Sequence, residues 1–235
     1  MHTYFLLWAK TGDGGSLHSL LCHLLDVANV TRVLWRKAFS PNFRNRVSSL
    51  LELPVDDTAA WLSFWAGLHD IGKATPGFQA KAKDAVPLLR DAGFDFPEYS
   101  QIPPHGNAGT HFVNQFLTDK DICNEPFSSE TAMSIARIIG GHHGLFPTPN
   151  ELNAIAPNML GTSNTWDESR KEIFHRIYEL TGAGQASLPT GTGLDPGFCM
   201  ILSGMISVAD WLGSMSEYFP CENVTPETDV EYYFK

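Results

Sequence analysis

The chain has 235 residues, which at roughly 150 per domain allows one large or two small domains. Lys and Arg total 16 against 26 Asp and Glu, a formal charge of −10, and charged residues make up 18%. That balance excludes a general electrostatic nucleic-acid binder, whose footprint is a basic face, so any DNA or RNA contact must be local or arranged by bound metal. No run reaches the ~18 consecutive apolar residues of a bilayer span; Phe198 to Val208 is interrupted by Ser203, Gly204 and Ser207. The opening MHTYFLLWAKTGDGG lacks a cationic leader, and its apolar run falls short of the ~7–15 residues of a signal peptide, which predicts a cytoplasmic protein with no membrane partner. Cys22, Cys123, Cys199 and Cys221 show no C-x-x-C spacing, as suits a reducing compartment.

The apolar spacing is helical and no alternating run with hairpin signals stands out, which predicts an all-α fold. A first helix is expected from about Ser16 to Phe39, with Leu17, Leu20, Leu21, Leu24, Val27, Val30 and Leu34 on its buried side together with His23. A second follows Asp56 and Asp57, carries Trp61, Leu62, Phe64, Trp65 and Leu68, and stops at Gly72, so His69 and Asp70 lie at its C-terminal end. Thr75-Pro76 marks the start of a short helix through Lys81. Gly93 to Pro104 reads as loop. His105–Leu117 and Ser128–Ile139 read as helices, the latter ended by Gly140-Gly141, and then come His142, His143 and Gly144. Pro147 to Thr165 is mostly loop, and Trp166–Leu180 is amphipathic with its charges outward. The last element, Phe198–Met215, is apolar nearly all round, predicting a central position, and carries one charge, Asp210. No repeat or linker emerges, so a single domain over 1–235 is the simplest organisation.

Polar residues at apolar positions point to chemistry. A buried carboxylate pairs with a cation or binds metal, because leaving it alone costs several kcal/mol. No Lys or Arg stands between Arg176 and Asp210, although a hydrogen-bonded core aspartate would look the same. His23 alone reads equally as a packed histidine. Neighbouring residues on a regular helix point about 100° apart and converge most easily at a helix end, which Gly72 supplies for His69-Asp70. The doublet His142-His143 sits among glycines that let the backbone turn both rings to one place. His105 follows Pro103-Pro104 at a helix start, with His111 as its rival. His2, His18 and His175 lack such context. Five histidines and two aspartates suit two metals with four protein ligands each if one carboxylate bridges. Imidazole favours Mn, Fe, Co or Ni over Mg.

The order His…His-Asp…Asp with HDIGK at His69 to Lys73 resembles the HD-domain metal-dependent phosphohydrolases. Together with WAK at Trp8–Lys10, HLLDVA at His23–Ala28, LHDIGKATPGFQ at Leu68–Gln79, GGHHG at Gly140–Gly144 and VADWLGS at Val208–Ser214, the chain resembles, over essentially its whole length, the HD nuclease domain of the CRISPR type I helicase-nuclease. The resemblance implies a helical bundle holding one or two divalent metals. His23, His69, Asp70 and Asp210 would take the first and Asp70, His105, His142 and His143 the second. It implies hydrolysis of single-stranded DNA by two metals about 3.5–4 Å apart, Asp70 serving catalysis as the bridging ligand. Lys73, with Ser214 as a lesser candidate, would contact substrate phosphate as a point charge. No G-x-x-x-x-G-K-[ST] motif occurs, so a helicase domain or subunit, and the Cascade complex that captures DNA, are the implied partners. A nucleotide or cyclic-nucleotide phosphohydrolase, or a metal-stabilised interaction domain without turnover, would use the same ligands.

Overall fold

In the computed structural model, which describes residues 3–12, 15–97, 102–123, 125–190, 195–221 and 230–234, the chain opens with an element that the sequence pattern conceals. Trp8–Thr11 (β1) and Leu17–Ser19 (β2) pair antiparallel, with Trp8 opposite Ser19 and Lys10 opposite His18. Consecutive Trp8 and Ala9, like His18 and Ser19, are all buried, so the alternation that betrays a half-buried strand is missing. Buried Gln79 behaves as a third strand. Trp8 N–H donates to its Oε1 (3.1 Å), and its Nε2 donates to Trp8 O (2.8 Å). The helix expected from Ser16 therefore begins later, at Leu20–Lys37 (α1).

Every residue of α1 from Leu20 to Ala28 is buried, so α1 is a rod with neighbours on all sides. Pro41–Leu51 (α2) follows, started by Pro41 and by Ser40, whose side chain accepts from Phe43 N–H. Val55–Gly67 (α3) packs along α1 and presents Trp61, Phe64 and Trp65 to the core. Its α-helix ends five residues before Gly72. Leu68–Asp70 turn instead, and Ile71–Lys73 form one 3-10 turn.

Pro76–Gln79 (α4) and Val86–Asp91 (α5) lead to His105–Thr118 (α6) and Ser129–Gly140 (α7), which pack closely. Part of the loop expected between Pro147 and Thr165 is helical: Pro149–Asn153 (α8) carries a capping box between Thr148 and Glu151. Asn164–Thr181 (α9) holds Phe174 edge-on to Phe64 and Phe116. One charge of α9 departs from the outward expectation: Arg170 is buried, donates to the carbonyls of Leu160 (2.7 Å) and Ala74 (3.2 Å), and lies over the Phe112 ring. Burial lowers its pKa to about 10, still charged at neutral pH.

Pro196–Gly213 (α10) packs on α1, α3 and α7. It is long and apolar enough, at mean hydropathy 1.3, to cross a membrane by length and composition, yet its buried side lies in the core of this fold. The expectation of burial all round is corrected: Met200, Val208 and Trp211 are exposed, Trp211 to 71%. Composition hides this face because apolar residues occupy both sides of the helix. Val230–Phe234 (α11) lies against α1, Asn29 donating to Phe234 O and Tyr233 OH to Asp26. Apart from the β1–β2 ribbon, the described architecture is all-α.

Candidate metal centre

Two close backbone approaches assemble the site. A Cβ on Gly72 would lie 1.9 Å from His105 O, so the absence of a side chain lets the His69–Lys73 turn rest on the first turn of α6. A Cβ on Gly106 would lie 2.3 Å from Gly140 O, so α6 and α7 meet backbone to backbone where His105 begins one and His142 follows the other. Gly213 reaches α1 at Val27, aligning Asp210 with His23. Elements distant in sequence thus deliver their polar residues to one end of α1.

The ligand atoms fall into two groups, each with its atoms within 4.8 Å of one another: His23, His69, Asp70 and Asp210, and His105, His142 and His143. Asp70 joins them. Its Oδ2 is 3.1 Å from His23 Nε2 and 3.4 Å from His69 Nε2, while its Oδ1 is 3.3 Å from His105 Nε2 and 3.7 Å from His142 Nε2. Asp210 Oδ1 lies 3.4 Å from His69 Nε2 and 3.6 Å from His23 Nε2. His105 Nε2 is 3.1 Å from His143 Nε2. All seven residues named as ligands from sequence therefore converge. His111 is not among them: six residues rotate a helix by about 600°, which carries it about 120° away from His105. His18 pairs instead with Asp26 at 2.9 Å, and His2 lies outside the described residues.

The donor set fits divalent metal. His69 Nδ1–H donates to Ala66 O (2.9 Å) and His142 Nδ1–H to Ile139 O (2.8 Å), leaving each Nε2 lone pair facing inward. These two Nε2 atoms and Asp70 Oδ1 are buried without a hydrogen-bond partner, a condition that native structures rarely tolerate unless an ion or water completes it. Nitrogen and carboxylate donors together suit a transition metal better than a cage of oxygens.

Electrostatics agree. Burial opposes charge on every group, yet His69 and Lys73 outweigh it at Asp70 and hold its pKa well below the usual carboxylate range; the adjacent His69 does the same for Asp210. At His69, burial is overcome by Asp70 and Asp210, raising its pKa to about 9. Burial dominates at His23 and His142, lowering them to about 4 and about 3. Without metal, the proton on His69 thus occupies the place of a cation between two carboxylates, and the other two rings are neutral.

Lys73 and Ser214, named from sequence as phosphate contacts, are tied to the aspartates. Lys73 Nζ pairs with Asp70 and donates to Ala9 O (3.2 Å); the Ser214 hydroxyl bonds Asp210 Oδ1 (3.1 Å). Sequence reasoning passed over Ser207, whose hydroxyl bonds the carbonyls of His142 and Ser203 and so fastens the GGHHG turn to α10. The signal was present: Ser203, Ser207, Asp210 and Ser214 recur at spacings of 4, 3 and 4, which places Ser207 on the same helical face as Asp210.

The family model described as "Cas3, HD domain" matches residues 8–219. The chain belongs to the Cas3 HD-domain family. A relative named CRISPR-associated endonuclease/helicase Cas3, from Thermus thermophilus, is 31% identical over 218 residues, 91% of this Cas3 HD chain and 22% of the relative. A crystal structure of a CRISPR-associated protein matches 98% of the chain and 25% of its own length at 34% identity and TM-score 0.87. The Thermus thermophilus Cas3 HD domain, crystallised in the presence of Ni2+, matches at TM-score 0.72 and 26% identity over 100% of this chain and 85% of that one. Across the curated relatives it matches, this Cas3 HD chain spans 22–26% of their length.

Proposed function

We propose that this chain is a metal-dependent nuclease domain that hydrolyses phosphodiester bonds of single-stranded DNA in CRISPR interference, with Cascade supplying the target and a helicase, fused or separate, feeding the strand. The observation that carries the proposal is the division of Asp70, one oxygen toward each imidazole group. One or two divalent transition metals, held by the seven named residues, would supply Lewis-acid charge and an activated water there. His69 and His142 are locked by their Nδ1–H bonds so that their lone pairs need no reorientation on binding. Lys73 offsets Asp70 and directs its remaining N–H capacity to a phosphate oxygen, and Ser214 orients Asp210. The strand approaches from the side of His105 and His143, since His143 is exposed while His23, His69 and Asp70 are buried.

A net charge of −10 leaves an isolated domain with weak attraction for DNA, which is why delivery by a partner matters. Four cysteines outside any disulfide agree with a cytoplasmic location. The test is cleavage of circular single-stranded DNA with Mn2+, Co2+, Ni2+ or Mg2+. Loss of circles with transition metal, abolished by EDTA and by Asp70→Ala, supports the proposal. Intact circles with metal bound, alongside hydrolysis of free nucleotides, would replace it with a nucleotide phosphohydrolase.

A further inference from the structure

A cleft of about 590 Å³ opens between β1 and the C-terminal end of α10, lined by Lys10, Thr11, Ser16, Ser214, Ser216 and, at its rim, exposed Glu217. That volume falls within the ~300–1,000 Å³ usual for ligand sites. The α10 wall lies one hydrogen bond from the metal centre and the β1 wall two polar contacts away. On one side Ala9, the residue before Lys10, accepts from Lys73, which pairs with Asp70; on the other, Ser214 bonds Asp210. Lys10 Nζ spans the walls by donating to Gly213 O (3.3 Å). An ammonium carries three N–H donors, so this bond fixes its position without exhausting it. A row of hydroxyls beside one cation is a lining suited to an anion with several acceptor oxygens. Glu217 is the single acid among the described residues of this lining.

We propose that this cleft seats a backbone phosphate of the strand adjacent to the one being cleaved, with Lys10, Thr11 and Ser216 as positioning residues. The proposal rests on the nuclease reading above and adds a substrate subsite to it. Contacts of this kind set register without reading bases. In an acidic chain, a local cation next to the centre holds the strand where overall charge does not.

The test compares a single-stranded oligothymidylate with bis(p-nitrophenyl) phosphate, a diester too small to reach the cleft, using the full chain loaded with Mn2+ or Ni2+. Lys10→Met is expected to raise KM for the oligonucleotide about tenfold while kcat on both substrates holds within about twofold. The slope of log kcat/KM against log salt should shrink by about 0.7, the loss of one phosphate contact on a single strand. Lys10→Arg should restore the slope, and Ser216→Ala should raise the oligonucleotide KM alone. Lys10 also sits at the negative end of α10, so a melting shift by itself would report only lost stability. An unchanged KM and salt slope in an active Lys10→Met enzyme overturns the subsite and leaves the nuclease reading standing. Equal losses on both substrates assign Lys10 to support of the metal centre and overturn it as well. A wild-type chain inert toward both substrates with metal bound overturns both readings together.

Discussion

The group at His23, His69, Asp70 and Asp210 and the group at His105, His142 and His143 share a carboxylate but differ in what surrounds them. The first is built from α1, the turn after α3, and α10; three of its four residues are buried and two of those four are acids. The second lies at the junction of α6 and α7, has no acid of its own, and includes exposed His143. Two adjacent carboxylates, Asp70 buried and Asp210 half-buried, demand positive charge, whereas three imidazoles do not. On the nuclease reading proposed above, the buried group would retain metal tightly, and the open group would exchange a second ion and face the substrate.

The broadest test removes what the groups share. Asp70→Ala should abolish cleavage by more than ~100-fold and lower metal content at both groups, measured by elemental analysis and circle cleavage, since even indirect partners of ligands are worth about 10–100-fold. Next, His69→Ala should lose the metal of the buried group and nearly all cleavage, whereas His143→Ala should lose only that of the open group and retain partial cleavage, about tenfold reduced. Equal losses would erase the distinction between the groups.

The third test uses pH. With a metal-free pKa of about 9, His69 is protonated at neutral pH and must release that proton when Nε2 binds metal. Affinity at the buried group should therefore rise by about tenfold per pH unit from about 7 to 9, measured by titration in buffers of different ionisation enthalpy. Folding stability of the metal-free protein carries the opposite sign. The contribution of raised His69 is complete below its unfolded value of 6.5 and is lost as pH climbs through about 9, so the melting temperature after EDTA treatment should fall across that window. His142, already neutral, adds no such dependence there. The smallest effect belongs to Ser207→Ala, which frees the His142 carbonyl. It should cost about 1 kcal/mol of stability by denaturant melting and loosen the open group while sparing metal at the buried one.

How far these features are visible without coordinates varies by residue. Asp210 stands out because an acid within an apolar run violates its own surroundings, and His69-Asp70 and His142-His143 stand out because adjacency at a helix end restricts what they can face. Ser207 does not, because a hydroxyl in a helix is commonplace until its partner, the His142 carbonyl 65 residues away, is known. Lys73 was legible as a cation near Asp70, but its direct pairing with Asp70 and Ala9 was not. The β1–β2 ribbon escaped because it is short and its consecutive residues Trp8 and Ala9 are both buried, α5 and α8 because helices of six and five residues carry too few turns for periodicity to register, and α2 because only Val47, Ser48 and Leu51 of its 11 residues are buried.

Helical class and six of the seven converging residues follow from residue type and local order, since periodicity and donor chemistry are properties of the chain. The ranking of His105 over His111, the division of Asp70 between two groups, and the exposed face of α10 follow from packing. They depend on where α6 meets α7 at Gly106 and Gly140 and where Gly72 meets α6, contacts between segments far apart in the chain. Hydrophobic pattern says that such segments bury a face; backbone approach sets which side chains then meet.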